Sequence, residues 1–150
     1  MANETAGPRR PQTHTAVRQL PPLRILAAED NRTNQLLLTA MLVPLGAQLR
    51  LADDGAQAVE MFARAAFDLV LMDVEMPVMN GREAARAIRA LEAERGAART
   101  PIVALSADAL DDRDGAGVPA ELDGWVAKPI AMAVLVGAIE AALAGRARAA

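Results

Sequence analysis

The sequence predicts an α/β domain built on one doubly wound parallel sheet. After Pro22, short apolar segments of strand length alternate with amphipathic segments of helical length up to about Gly145. Two of the apolar segments, DLVLM and PIVAL, are almost uninterrupted, as strands are when helices cover both faces of a sheet. A chain of 150 residues is one domain of ordinary size. We therefore expect five parallel strands flanked by five helices, in the flavodoxin-like order 2-1-3-4-5 that right-handed crossovers favour.

Each element has a sequence signal of its own. The predicted strands are Leu23–Ala28, Ala47–Leu51, Asp68–Met72, Pro101–Leu105 and Gly124–Ala127. The predicted helices are Arg32–Leu45, Gly55–Ala66, Arg82–Glu94, a short irregular one after Ala107 and a last one from about Ala131 to Leu143. Two helix starts carry capping pairs, Asp54 with Gln57 and Asn80 with Glu83. The first helix shows an apolar group expected in the core, namely Leu36, Leu37, Leu38, Met41 and Leu42.

The two ends of the chain differ from this alternating pattern. Residues 1–22 are rich in Pro, Thr and Arg without periodicity, which predicts a flexible leader or linker. The folded domain is expected over residues 23–144, followed by a tail at 145–150. The last predicted helix is apolar over more than one face, which indicates a contact surface.

Composition excludes several classes of function. Zero cysteines exclude a disulfide scaffold, a thiolate zinc site and a cysteine nucleophile. A net charge of -3 gives no electrostatic reason to bind nucleic acid or an anionic membrane. No apolar run has the length of a membrane span, and the N-terminus lacks a secretory signal stretch, so a cytoplasmic location is expected.

The chemically interesting residues follow the predicted strands at their carboxyl ends. Because these ends meet at one edge of a parallel sheet, the residues should lie close together. They are Glu29 and Asp30 after the first strand, Asp73 after the third, Ser106 after the fourth and Lys128 after the fifth. Lys128 is the only lysine and Ser106 the only serine of the chain.

Three carboxylates in one crevice favour a bound cation. A pair of like charges 4 Å apart repels by about 4 kcal/mol at an effective dielectric constant of 20. Oxygen ligands without histidine or cysteine select a hard divalent ion, and Mg²⁺ accepts a partial protein shell completed by water and phosphate. One carboxylate could then attack phosphorus, while Lys128 and the Ser106 hydroxyl contact the phosphoryl oxygens.

These residues and their order resemble the receiver domains of two-component response regulators. The resemblance covers roughly Leu23 to Leu143 and rests on four segments: AEDNRTNQ, LVLMDVEMPVMNG, ALSA and AKPI. The EDN-x-x-NQ form is similar to receivers attached to hybrid sensor kinases. The resemblance implies a signalling switch rather than an enzyme, with a histidine kinase or a histidine phosphotransfer protein as phosphoryl donor.

The resemblance also implies a role for each site residue. Asp73 would be the phosphoacceptor, with Asp30 and Asp73 holding Mg²⁺ directly, Glu29 through water and Glu75 through its backbone carbonyl. Ser106 would be the switch hydroxyl, Lys128 the lysine typical of the family and Trp125 the aromatic switch position. The Lys128-Pro129 bond would be cis. A homodimer or partner contact would use the fourth and fifth predicted helices.

The sequence departs from the family pattern in a few places. Tryptophan is bulkier than the usual Tyr or Phe, so Trp125 could be a core residue instead of a rotamer switch. Glu75 and Asp108 are acidic at the two positions that flank the phosphoryl group, which implies an unusual phosphoryl lifetime of unknown sign.

Two other functions are compatible with parts of the pattern. A phosphatase of the haloacid-dehalogenase type also uses a strand-end Asp and Mg²⁺, but it requires a second Asp two residues later, where this chain has Glu75. A pseudo-receiver that is never phosphorylated would be a pure interaction module, and the complete acidic set disfavours it.

Overall fold

The computed structural model describes residues 22–107 and 118–149. They contain five strands, Arg24–Ala28 (β1), Gln48–Ala52 (β2), Leu69–Asp73 (β3), Ile102–Ser106 (β4) and Gly124–Ala127 (β5). All neighbouring strands are parallel, and the sheet order is β2-β1-β3-β4-β5. The predicted doubly wound topology is therefore confirmed.

Four α-helices lie within the described ranges, namely Arg32–Leu42 (α1), Gly55–Arg64 (α2), Gly81–Arg95 (α3) and Met132–Ala149 (α4). The irregular helix predicted after Ala107 falls in residues 108–117, outside the described residues. The first helix was predicted to run to Leu45, but α1 ends at Leu42 and a 3-10 turn follows, because Pro44 cannot donate a helical hydrogen bond.

The last helix is longer than the sequence indicated. α4 continues past the predicted end at Leu143 as far as Ala149, so it includes most of the stretch expected to be a tail. The sequence after Leu143 contains no proline that would end the helix, and Gly145 lowers helix propensity without preventing helix formation. Within the described ranges, no helix combines the length and apolar character that crossing a membrane requires.

The core has two layers, one on each face of the sheet. α1 and α4 cover one face, where Leu38, Leu42, Leu135 and Ile139 are fully buried. α2 and α3 cover the other face, where Phe62 and Ile88 are among the buried residues. All residues of β3 and β4 are buried, whereas the edge strands β2 and β5 are only partly covered. The strand that ends in Asp73 is thus covered along its whole length.

One residue of the apolar group on α1 does not belong to the core. Leu36 is 60% exposed, while Leu38 is fully buried. Residues two positions apart lie about 200° apart around a helix of 3.6 residues per turn, so both cannot face the sheet. The expectation that the whole group is core was wrong for Leu36.

Two glycines let the starts of α2 and α3 approach the loop between β3 and α3. A Cβ at Gly81 would clash with the carbonyl oxygen of Asp73, and a Cβ at Gly55 would clash with that of Met79. The two predicted capping pairs start the same helices. The side chain of Asp54 accepts a hydrogen bond from the backbone N–H of Gln57, and the side chain of Asn80 accepts one from the backbone N–H of Glu83. The loop that follows Asp73 is therefore held between two helix N-termini.

The tip of this loop is strained. Val78 has a φ of 68°, and the N–H of Met79 donates to the carbonyl of Pro77 over 2.7 Å. A bond between residues two apart around a positive-φ centre is a classic γ-turn, which is rare and costly for a β-branched residue. The N–H of Gly81 donates to the carbonyl of Val74 and closes the loop behind this turn.

Candidate functional site

The three predicted carboxylates meet at the carboxyl edge of the sheet. Glu29 is fully buried, Asp73 is 3% exposed and Asp30 is exposed. One oxygen from each of the three lies within 4.8 Å of the others. The strand order explains this placement, because β1 and β3 are neighbours and both end at this edge.

The first turn of α1 fixes the carboxylate of Glu29. Its Oε1 accepts from the backbone N–H of Asn31 at 3.1 Å and from the side-chain amide of Asn34 at 3.3 Å. The side chain of Gln35 donates to the Glu29 backbone carbonyl at 2.6 Å and to Asp53 Oδ1 at 2.8 Å. Glu29 is thereby tied to α1 by its side chain and its main chain, and the exit of β1 is tied to that of β2.

Lys128 lies between the two buried carboxylates. Its Nζ is 2.9 Å from Glu29 Oε2 and 3.0 Å from Asp73 Oδ2. The Lys128-Pro129 peptide is cis, as the family resemblance implies. The Lys128 N–H donates to the carbonyl of Ser106 over 2.7 Å, which fixes the backbone of the lysine at the end of β4. The single lysine of the chain thus neutralises part of the acidic cluster.

Burial and charge shift the ionisation of this pair. Burial raises the pKa of Asp73 to about 6; hydrogen bonds from Lys128 and from the Glu75 N–H oppose the rise, while the Glu29 charge adds to it. Burial alone would lower the pKa of Lys128, but its contacts with Glu29 and Asp73 raise it above its ordinary value. Lys128 is therefore a firmly charged cation at neutral pH, and Asp73 depends on cations to stay ionised.

The chemistry of the donors fits a hard cation. All three converging groups offer oxygen, and within the described part of the chain they form the one acidic group able to hold a metal ion. Within the described residues, the buried Oε2 of Glu29 has no polar partner beyond the Lys128 ammonium at 2.9 Å. A carboxylate oxygen has more than one lone pair, so Oε2 can also bind a second cation or a water of its hydration shell.

The other predicted site residues lie around this cluster. Ser106 ends β4 and is 6% exposed, on the strand that pairs with β3. The backbone N–H of Glu75 donates to Asp73 Oδ1 at 3.1 Å. Trp125, half-buried on β5, packs against the core layer beneath α2 and α3. Asp108 lies outside the described residues.

Comparison with known proteins agrees with this geometry. Residues 25–140 match the family described as "Response regulator receiver domain". The chain belongs to that family. A receiver domain is a module of two-component and phosphorelay signalling and not an enzyme in the usual sense, so the phosphatase alternative is set aside.

Individual relatives are large sensor kinases. The chain is 44% identical over 107 residues to the sensor protein GacS of Pseudomonas syringae pv. syringae, covering 71% of this chain and 12% of that protein. It is 35% identical over 108 residues to the histidine kinase BarA of Shigella flexneri, covering 72% of this chain and 11% of that protein. The chain therefore spans about an eighth of the length of GacS and about a ninth of the length of BarA.

Solved structures share the fold and the site region. The receiver domain of the sensor histidine kinase PA1611 from Pseudomonas aeruginosa, which has magnesium coordinated in its active-site cleft, is 39% identical. It has a TM-score of 0.70, and the match covers 83% of this chain and 99% of that one. The Saccharomyces cerevisiae receiver Ssk1, crystallised with the histidine phosphotransfer protein Ypd1, is 29% identical with a TM-score of 0.71 over 77% of this chain and 85% of that one.

Sequence reasoning missed the residues that hold Glu29. Asn34 and Gln35 belong to the EDN-x-x-NQ segment, which served only as a mark of the family. Asn31 was likewise missed as the N-cap of α1, where its side chain accepts from the Asn34 N–H. The available signal was an Asn three residues before a second amide side chain, directly after the acidic pair.

Proposed function

We propose that this chain is a phosphorylation switch in which Asp73 accepts a phosphoryl group from a phosphohistidine donor. The observation that carries the proposal is the placement of Asp73 Oδ2 3.0 Å from Lys128, among carboxylates that converge within 4.8 Å. This arrangement combines a nucleophile, a fixed cation and an oxygen-rich cleft in one place.

The transfer itself needs little from the protein beyond placement and charge. One carboxylate oxygen of Asp73 attacks phosphorus, an O–P bond forms, and the N–P bond to the donor imidazole breaks as the ring nitrogen keeps the electron pair. The Lys128 ammonium neutralises the negative charge that accumulates on the phosphoryl oxygens. The Ser106 hydroxyl donates to one of these oxygens afterwards, and its movement links the site to the segment after β4.

Magnesium is the cofactor that this donor set fits. Asp30 and Asp73 would hold the ion directly, Glu29 through water, and Glu75 through its backbone carbonyl. When bound, the ion supplies charge neutralisation for the carboxylates and the phosphoryl group. The PA1611 receiver, with magnesium in the corresponding cleft, supports this assignment.

The donor is a histidine kinase or a histidine phosphotransfer protein. The complex of Ssk1 with Ypd1 supports the second kind, and the similarity to GacS supports a role beside a hybrid kinase. A further partner or a second copy of the domain would bind through α4 and the segment before β5. Val118, Met132 and Val134, all exposed, support such an apolar contact.

Three finer assignments belong to the same proposal. Trp125 would change rotamer with phosphorylation, which its half-buried position permits. The domain would occupy at least residues 23–144, and α4 continues from it to Ala149. Its location would be the cytoplasm, where histidine kinases use ATP to phosphorylate their histidines.

One assay tests the switch directly. Emission from Trp125, the sole tryptophan, is followed while Mg²⁺ is titrated and acetyl phosphate or beryllofluoride is then added. Wild type should respond to both additions, and with acetyl phosphate it should gain the mass of one phosphoryl group. Asp73→Asn should lose the second response and the added mass.

A matched variant separates the nucleophile from a general effect of removing a charge. Asp68 precedes the same strand at its opposite end, so Asp68→Asn should be labelled like wild type. A protein that binds no Mg²⁺ and gains no phosphoryl mass would be a pseudo-receiver. Labelling of Asp73→Asn at the wild-type level would refute Asp73 as acceptor.

A further inference from the structure

We infer that Asn34 is a positioning residue of the magnesium centre, acting through Glu29; the inference rests on the function proposed above. The side chain of Asn34 touches neither Asp30 nor Asp73 through any hydrogen bond seen in the described residues. It donates to Glu29 Oε1 at 3.3 Å, and Glu29 is the most deeply buried of the three carboxylates. Its influence on the site must therefore pass through that one contact.

The two oxygens of Glu29 have different surroundings. Oε1 accepts two hydrogen bonds from the first turn of α1, from the Asn31 N–H and the Asn34 amide. Oε2 lies toward the space shared with Asp73, where the Lys128 ammonium contacts both carboxylates. Holding Oε1 with two donors selects the rotamer that presents Oε2 to this space, which orients a carboxylate before any ion arrives.

Asn34 is itself held in place. Its N–H donates to Asn31 Oδ1 at 3.1 Å as part of the N-cap of α1. The main chain of Glu29 is fixed separately by the buried Gln35 amide. Removing only the Asn34 side-chain amide would leave the cap, the main chain and the Lys128 contact intact. It would remove one of the two hydrogen bonds that hold Glu29 Oε1 and leave the one from the Asn31 N–H.

The test measures Mg²⁺ affinity by calorimetry in the unphosphorylated chain. Asn34→Ala should weaken Mg²⁺ binding by about tenfold, the lower end of the range for residues that orient a metal ligand. Asn34→Leu, which keeps most of the volume without the amide, should weaken it similarly. Thr33→Ala, an exposed neighbour on the same turn, is the matched control and should bind like wild type.

A double-variant cycle separates positioning from a general structural effect. If Asn34 acts through Glu29, adding Asn34→Ala to a Glu29→Gln protein should lower Mg²⁺ affinity almost no further. If Asn34 has a general structural role, Asn34→Ala should lower Mg²⁺ affinity by the same factor in wild type and in Glu29→Gln. Wild-type affinity in Asn34→Ala, or an equal loss in Thr33→Ala, would overturn the inference while the proposed function stands. Failure of wild type to bind Mg²⁺ would instead refute the proposed function.

Discussion

Replacing Val78 should make the protein more stable, although the residue lies in the loop next to the acidic site. Val78 has a φ of 68° and is 84% exposed. A sparsely populated backbone conformation costs a residue about 1–3 kcal/mol, and a β-branched side chain is among those that tolerate a positive φ least. Asparagine is several-fold enriched among residues with a positive φ, because its short polar side chain can hydrogen-bond locally.

The loss of packing on replacement is small. Complete burial of a valine side chain is worth roughly 2 kcal/mol, and Val78 is only about one-sixth buried, so its packing contributes about 0.3 kcal/mol. Val78→Asn should therefore raise the free energy of unfolding by about 0.5–1 kcal/mol. For a chain of this size the melting temperature should rise by about 1–4 °C.

Urea unfolding followed by circular dichroism would measure the change. Val43→Asn is a matched control, since Val43 is 49% exposed but has an ordinary φ of -63°, and this variant should gain no stability. Val78→Gly should also raise the free energy of unfolding. The increase should be smaller than the strain energy that is removed, because glycine adds conformational entropy to the unfolded chain. A Val78→Asn protein no more stable than wild type would refute the argument from backbone strain.

Three further perturbations test other contacts. Gly81→Ala should destabilise the fold and weaken Mg²⁺ binding, because the new Cβ displaces the Asp73 carbonyl; thermal melts and calorimetry would show both. Burial tends to raise the pKa of Asp68, but the contacts with Arg24 outweigh burial and lower it below its ordinary value. Asp68→Asn should therefore reduce the free energy of unfolding by up to about 1 kcal/mol at pH 7. The loss should shrink progressively below about pH 4, where the wild-type carboxylate protonates, and urea titrations at both pH values would measure it. Lys128→Met removes the cation between two buried carboxylates and should lower the free energy of unfolding by about 3 kcal/mol when a chelator is present. Added Mg²⁺ should reduce the difference in stability between this variant and wild type, as thermal melts with and without the ion would show. An unchanged melting curve for any of these variants would contradict the corresponding contact.

The fold could be predicted because its strongest signals are local. Continuous apolar runs identified β3 and β4, and capping pairs placed the starts of α2 and α3 within a residue. Reading which residue leaves each strand then placed Asp73 and Lys128 in one site, since parallel strands share a carboxyl edge.

The remainder depends on three-dimensional packing that no local pattern records. Nothing in a valine indicates a positive φ, and that of Val78 follows from closure of the loop between Asp73 and Gly81. The amide of Asn34 could have faced solvent or Glu29 equally well until the direction of α1 was known. The helix end at Ala149 was missed because alanine-rich sequence gives no stop signal.

The three acids of the cluster differ in their exposure to solvent. Glu29 and Asp73 are buried, whereas Asp30 is exposed. A hydrated ion can therefore reach Asp30 with its water shell intact, but contact with Asp73 requires it to lose water molecules. The exchange of water for protein oxygen would thus begin at the surface and end at the nucleophile.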